Sequence, residues 1–441
     1  MKFYDRRQEL KDLKRLFSQS PDEGRLAVLT GRRRVGKTLL SLEFVKDTRH
    51  LYFFTAKKSE ALLCAEFLAE IKRMLPDLPF VGEIHTFKDI FLLLLQAAKT
   101  EPLTVIMDEF QEFYHINPAV YSDIQKLWDL HKRKSRLNVI VVGSVYSLIH
   151  KIFQHSKEPL FNRADRIFMI KPFTIATIGD ILKDHKIKDT KALFDFYLFT
   201  GGSPKYIDLL VGNKAFSLDQ ILDFMIAPNS PFLSEGRNLL IEEFGKEYGT
   251  YFSILELISV GKIGRSEIES LLGGNAGGYL DRLENDYAII AKYKPINAKP
   301  NSRSQKYKIN DHFLNFWFRF IYRHRSAVES ENFEYIKEII KRDYAVYSGK
   351  VLEQFYRDLC AESKKFNNIG SYWEKGNENE IDIVAVNDLK QEMLIAEVKI
   401  NKRKINLEEL KRKAQRLTAD YPRYKIQWQA LSLENAKDFL S

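Results

Sequence analysis

The chain has 441 residues, 45% of them apolar and 13% aromatic, enough for about three ordinary domains with real cores and too apolar for long disorder. A formal charge of +10 and a pI near 9.1 lean towards a polyanionic partner, nucleic acid before an anionic membrane. Two cysteines (Cys64 and Cys360) lack metal-ligand spacing, the N-terminus has no apolar signal core, and the longest apolar run, around Phe91-Leu92-Leu93-Leu94-Leu95, is too short to span a bilayer, so a cytoplasmic protein without a membrane partner is expected.

The first element is the charged segment Asp5-Arg6-Arg7-Gln8-Glu9-Leu10, ahead of a strand-like Leu26-Ala27-Val28-Leu29. That strand feeds Gly31-Arg32-Arg33-Arg34-Val35-Gly36-Lys37-Thr38, which fits the phosphate-binding pattern G-x-x-x-x-G-K-[ST] in full, and a helix-like run from Thr38 to Phe44 leaves it. The glycines let backbone N–H groups curl round phosphates, so Gly31, Arg34, Val35, Gly36, Lys37 and Thr38 form the expected cradle, with the positive end of the helix beside it. Lys37 is expected to reach the outer phosphates, and the Thr38 hydroxyl to ligate Mg²⁺. The segment therefore predicts binding of a nucleoside triphosphate.

Apolar runs at residues 51–54, 103–107 and 139–142 read as further strands of a parallel α/β sheet, buried on both faces, and residues 167–170 as a last strand before Pro172. Met107-Asp108-Glu109-Phe110 ends one of them, expected to neighbour the first strand. There Asp108 is the candidate metal-side acid and Glu109 the base that orients the attacking water. Ser144, after Val142-Gly143, is the candidate polar sensor of the γ-phosphate. Pro159-Leu160-Phe161-Asn162-Arg163 precedes the last strand, and Arg163 or Arg166 is expected either to meet transition-state charge, in cis or across a subunit boundary, or to pair with surface acids.

From residue 176 the pattern turns helical, interrupted by Gly201-Gly202-Ser203-Pro204-Lys205-Tyr206. Residues 245–325 predict three helices and a hairpin, the plan of a winged helix. Its wing, from Lys292 to Lys308, would turn Lys299, Arg303 and Lys306 towards DNA, whereas its short third helix carries Asp281 and Glu284, a poor composition for reading a groove. The aromatic stretch from Asp311 to Arg325 reads as packing, not as a base-stacking platform.

In the tail, Glu380-Ile381-Asp382-Ile383-Val384-Ala385 and Leu394-Ile395-Ala396-Glu397-Val398-Lys399 predict two strands. Alternation puts Glu397 and Lys399 on one face, and hairpin pairing brings Asp382 beside them. Two carboxylates fix one or two divalent cations and a lysine orients the attacking water, a pattern for metal-dependent phosphodiester hydrolysis. Glu353, on a preceding helix, is the candidate that completes the ligand set, and a basic helix with Lys411, Arg412, Lys413 and Arg416 follows.

As a set, the motifs from Asp5 to Tyr206 resemble the archaeal-type ATPases, a group of signal-transduction NTPases related to the AAA+ class and to origin-recognition ATPases. The resemblance spans roughly residues 1–330. It implies ATP as the nucleotide, in keeping with the lack of a guanine-reading Asn-Lys-x-Asp motif, a first motif near the adenine, and a helical lid holding the Gly-Gly-x-Pro-x-Tyr element. Asn162 stands where that family commonly has glycine, and Phe161 where it has tyrosine. The tail resembles the PD-(D/E)xK nucleases in the form often fused to such ATPases, with Ile381 in place of the usual proline.

The expected fold is therefore α/β: a P-loop NTPase sheet (1–175) with a helical lid (176–244), a winged helix (245–325), a helical connector (326–348) and a restriction-endonuclease-like α/β domain (349–441). The expected function is a Mg²⁺-dependent ATPase coupled to DNA binding, with DNA cleavage by the tail on Mg²⁺ or Mn²⁺. The alternative is a nucleotide-controlled signalling switch whose C-terminal domains bind protein or DNA without catalysis. Homo-oligomers and an unidentified protein partner are compatible with both.

Overall fold

A computed structural model describes residues 2–18, 22–78, 84–245, 248–299, 301–302 and 304–440, with the backbone alone at 242 and 440. The chain divides into two compact units, Tyr4–Lys171 and Pro172–Ser441, the second joined by the first three residues.

In the first unit five strands form one sheet: β1 (Arg25–Thr30), β2 (His50–Phe54), β3 (Leu103–Asp108), β4 (Leu137–Val142) and β5 (Arg166–Met169). All neighbours run parallel, in the order β2-β3-β4-β1-β5. Parallel strands need crossover helices, which cover both faces. Thus β1, β3 and β4 are buried almost end to end, as their apolar runs predict. Phe53 of β2 stacks on Phe67 at 4.4 Å, and Phe87 meets Phe113 at 4.6 Å. Each fully buried ring contributes about 1.5–3 kcal/mol.

The order corrects one expectation. Asp108 ends a strand that is next but one to β1, because β4 lies between them: Val141 pairs with Val28 on one side and with Met107 on the other. Apolar composition marks a strand as central but carries no signal for which central strand lies beside it.

The second unit begins with helices. The Gly-Gly-Ser-Pro element joins helix Thr190–Thr200 to helix Pro204–Gly212. Gly201 ends the first in the left-handed region, and a side chain at Gly202 would strike the Phe173 carbonyl. Pro204 opens the second helix, where its missing N–H costs nothing. Helices Tyr248–Ser259, Arg265–Leu272 and Gly277–Asp281 follow, then the antiparallel hairpin of β6 (Ile290–Tyr293) and β7 (Lys306–Ile309). Phe313, Phe316, Trp317, Phe318 and Phe320 are all buried, so the aromatic stretch is core packing.

The tail holds a mixed sheet of β8 (Asn368–Tyr372), β9 (Ile381–Asn387), β10 (Glu392–Val398) and β11 (Lys425–Leu431), in the order β11-β10-β9-β8. A single helix, Phe333–Glu362, 30 residues long, runs across position 349, so the expected connector and the glutamate-bearing helix are one element. Among the described residues no helix is long and apolar enough to cross a membrane.

Candidate functional site

The phosphate loop lies between β1 and helix Lys37–Val45. Gly31 has a φ of 138°, and a Cβ there would approach the Ile170 carbonyl oxygen to 2.3 Å. Arg34 and Gly36 are also left-handed, at 70° and 85°. The helix starts at Gly36 without a side-chain cap, so the positive end of its dipole faces the loop. Lys37 Nζ folds back onto the carbonyls of Gly31 and Arg32, 2.8 Å from each. Below the loop Arg6, 5% exposed, donates to the carbonyls of Val35 at 3.0 Å and Lys171 at 2.6 Å and pairs with Glu9. The first motif therefore fastens the loop from beneath.

Asp108 is 4% exposed and is a hub. Its Oδ2 accepts from Thr38 Oγ1 at 2.7 Å and from the Tyr52 hydroxyl at 2.9 Å, and its Oδ1 from the Glu109 N–H at 2.9 Å. Burial raises the Asp108 carboxyl above its ordinary range, against the lowering effect of the Thr38 and Tyr52 bonds. Although two strands apart, loop and acid meet because the helix after the loop carries Thr38 across the sheet end. A carboxylate beside a hydroxyl at the foot of a phosphate cradle fits a hydrated Mg²⁺, whose presence would neutralise phosphate charge.

Glu109 follows with a left-handed φ of 53°. Its Oε2 accepts from Ser144 Oγ at 2.7 Å and from Gln111 Nε2. Ser144, expected to sense the γ-phosphate, thus stands on the glutamate. Arg163 forks onto Asp129, with its Nη2 at 3.0 Å, and also donates to the Phe161 carbonyl. Arg166 pairs with Asp12 at 3.0 Å. Both arginines thus pair with surface acids, one of the two expected arrangements. Asn162 has a φ of 57°, which explains why it replaces glycine there: asparagine is the non-glycine residue that best tolerates the left-handed region.

In the second unit, Ile383 pairs with Ala396, which sets Asp382 opposite Glu397 at the end of the ladder. Asp382 Oδ2 accepts from the Val398 N–H at 2.8 Å. Lys399 Nζ lies 2.9 Å from Glu397 Oε1 and 3.6 Å from Asp382 Oδ2, and Lys413 approaches Glu397 at 3.7 Å. Glu397 Oε2 is buried without a hydrogen-bond partner. Burial, then the neighbouring carboxylates, raises both Asp382 and Glu353. For Lys399 burial works downwards, but the surrounding carboxylates outweigh it and raise the ammonium. Arg357 ties the cluster together, donating to the Asp382 carbonyl at 2.8 Å and lying 3.8 Å from Glu353. Asp382, Glu397 and Lys399 are therefore brought together. Among the described residues no group of three or more His, Cys, Asp or Glu side chains is placed to hold a metal ion, and Glu353 interacts electrostatically with Asp382. The orphaned Glu397 oxygen beside the buried Asp382 fits a cation held by two carboxylates.

Lys306 is paired with Glu380 at 3.2 Å and lies 4.2 Å above the Trp373 ring. The Ile296 N–H donates to the Ser371 carbonyl of β8, and Trp373 Nε1 to Ser304 Oγ. Lys308 is half-buried, donates to Gln354, and is pushed down to about 8 by desolvation and by Arg357. Lys306 is thus engaged with the C-terminal sheet and does not face outward, and Arg303 lies outside the described residues. The third helix is neutralised from the hairpin itself, by Lys292 against Asp281 and Glu284.

Residues 3–210 match the family model of an ATPase domain predominantly from Archaea. The first unit is an archaeal-type ATPase domain. Residues 317–414 of the chain match a second model, of archaea bacterial proteins of unknown function, which takes in Glu353, Asp382, Glu397 and Lys399. The uncharacterized protein MJECL04 of Methanocaldococcus jannaschii is 28% identical over 406 residues, 90% of this chain and 87% of that protein. The Walker-type ATPase PABY2304 of Pyrococcus abyssi is similar in structure, with a TM-score of 0.53 and 17% identity over 72% of this chain and 96% of that one. At that identity the likeness shows the fold alone. The ORC2 protein of Aeropyrum pernix, in its ADPNP–ADP complexes, covers 78% of this chain and 96% of its own at 15% identity and a TM-score of 0.47.

Three residues of this ATPase domain and its companion cluster escape a reading of sequence. Tyr52 carries a weak signal, as a hydroxyl at an alternate position of an apolar strand. Gln111 closes the motif Met107-Asp108-Glu109-Phe110-Gln111, which belongs to the set that carries the family resemblance, but the motif assigns it no role. Arg357 lies one helical turn beyond Glu353, a spacing that puts the two on one face.

Proposed function

We propose that the chain hydrolyses ATP with Mg²⁺ and couples the cycle to DNA held by its C-terminal unit. The observation that carries the reading is the junction of Thr38, Asp108 and Glu109 at the foot of the phosphate loop. Lys37 and the loop N–H groups would hold the phosphates, Thr38 and Asp108 the Mg²⁺, and Glu109 would take the water proton. When bound, Mg²⁺ supplies neutralisation of phosphate charge. The family match supports adenine as the base, and a net charge of +10 supports a polyanionic partner.

In the tail, Asp382 and Glu397 would hold Mg²⁺ or Mn²⁺, with Lys399 at the attacking water and Glu353 facing them, in a winged-helix and nuclease-like arrangement that cleaves DNA. The capture of Lys306 by Glu380 favours a second reading, in which these parts bind protein and the ATPase domain acts as a switch. ATP hydrolysis by the purified chain, with and without DNA and at rising salt, tests both. Stimulation by DNA that fades with salt supports the first, and indifference to DNA supports the second.

A further inference from the structure

Gln111 is 0% exposed, in the 3-10 turn Phe110–Glu112 just beyond β3. A neutral amide so placed costs desolvation unless both its ends are bonded. Only one end is. Nε2 donates to Glu109 Oε2 and, at 3.4 Å, to Glu112 Oε1, whereas Oε1 has no partner. Packing does not explain this residue, because methionine would fill nearly the same volume without an orphaned acceptor. What glutamine adds is a donor aimed at Glu109.

A second element grips the same oxygen. Ser144 Oγ, at the end of β4, donates to Glu109 Oε2 at 2.7 Å, and among the described residues Glu109 Oε1 accepts no hydrogen bond. Two donors from two elements on one oxygen fix the plane of the carboxylate and leave the other oxygen as its free base. The turn bearing Ser144 also locks the amide. A Cβ at Gly143 would come within 2.7 Å of Gln111 Oε1 and 2.2 Å of Ile149 Cδ1, so only a glycine lets the two turns close on each other.

We infer that Gln111 is a positioning residue for hydrolysis: with Ser144 it holds Glu109 Oε2 so that Oε1 is the oxygen presented to the attacking water. The inference rests on the reading of Glu109 as the base. It is tested in the full chain with Gln111→Met, which keeps volume and removes the donor, and Gln111→Glu, which keeps shape and sets a second carboxylate against the first. Steady-state ATP hydrolysis, binding of a fluorescent ATP analogue and thermal melting are measured for each, beside Glu109→Gln.

Both variants are expected to lose kcat by about 10- to 100-fold, the scale of a misplaced catalytic group, while KM and nucleotide affinity stay within about twofold. Gln111→Met is expected to melt at or above the wild-type temperature, since it removes a buried orphan. A folded Gln111 variant with wild-type kcat, or one whose loss lies in affinity, overturns the inference while an inactive Glu109→Gln leaves the base reading standing. An active Glu109→Gln overturns that reading and the inference with it.

Discussion

Asp108 offers a test in which two substitutions at one position should part company. Its carboxylate accepts from three donors, the hydroxyls of Thr38 and Tyr52 on Oδ2 and the Glu109 N–H on Oδ1. In Asp108→Asn the amide oxygen can keep the Glu109 bond. The new NH₂ then faces two hydroxyls, and each of these can turn to accept. In Asp108→Ala all three donors lose their partner. An unpaired buried donor costs about 1–3 kcal/mol, and with Thr38 and Tyr52 half-buried and able to reach water the sum is about 2–4 kcal/mol. For a domain of this size that lowers Tm by about 5–15 °C. Calorimetry of the full chain should show that loss in the ATPase-domain transition for Ala and almost none for Asn, while both lose Mg²⁺-dependent hydrolysis. The pH dependence has a definite sign. Burial, the largest influence, raises the carboxyl above its ordinary 3.8, so the folded state holds the proton more tightly than the unfolded chain. Ionisation then costs stability as pH rises from 3.8 through the raised value, and the cost is complete above it. Asparagine escapes that cost, so its stability relative to wild type should improve as pH rises across the window. An Asn variant that melts as low as Ala, or one that gains on wild type as pH falls, would refute the reasoning.

The remaining predictions concern both units. Lys37→Ala should abolish nucleotide binding, and Glu109→Gln should keep binding and lose turnover by about 100-fold or more; equilibrium binding and single-turnover assays separate them, and competition by GTP tests the choice of adenine. Mn²⁺ should raise the melting temperature of the C-terminal unit, because the cation relieves crowding of Asp382, Glu397 and Glu353. Asp382→Ala should remove that shift together with any plasmid cleavage by the full chain. Glu353→Gln, by deleting one of these crowded like charges, whose carboxyl is raised to about 8, should raise stability at pH 8 more than at pH 5. Lys306→Glu sets two acids together at Glu380 and removes the contact with Trp373, so it should destabilise by about 1 kcal/mol with no loss of DNA affinity, and Glu380→Lys in the same chain should restore the pair. A large fall in affinity with unchanged melting would mean that Lys306 reaches DNA after all.

The phosphate loop, the strand that feeds it and the two acids after Met107 are legible in the sequence because each is a contiguous piece of backbone whose chemistry depends on local order. Glycines at the left-handed positions, a lysine and a threonine at a helix start and acids at a strand end hold their meaning wherever the strands come to lie. The same holds for Glu397 and Lys399, which share a face through strand alternation, and for the hairpin that brings Asp382 to them. What the tertiary structure decided is which distant groups meet. Apolar runs marked five strands but not their order, so β4 came between β1 and β3 unannounced. The grip of Gln111 and Ser144 on one oxygen of Glu109 joins the ends of two strands. The capture of Lys306 by Glu380 and Trp373 depends on where a hairpin docks. Such contacts are set by the packing of whole elements, in which a side chain's partner lies far away in sequence, and composition near a residue carries no record of it.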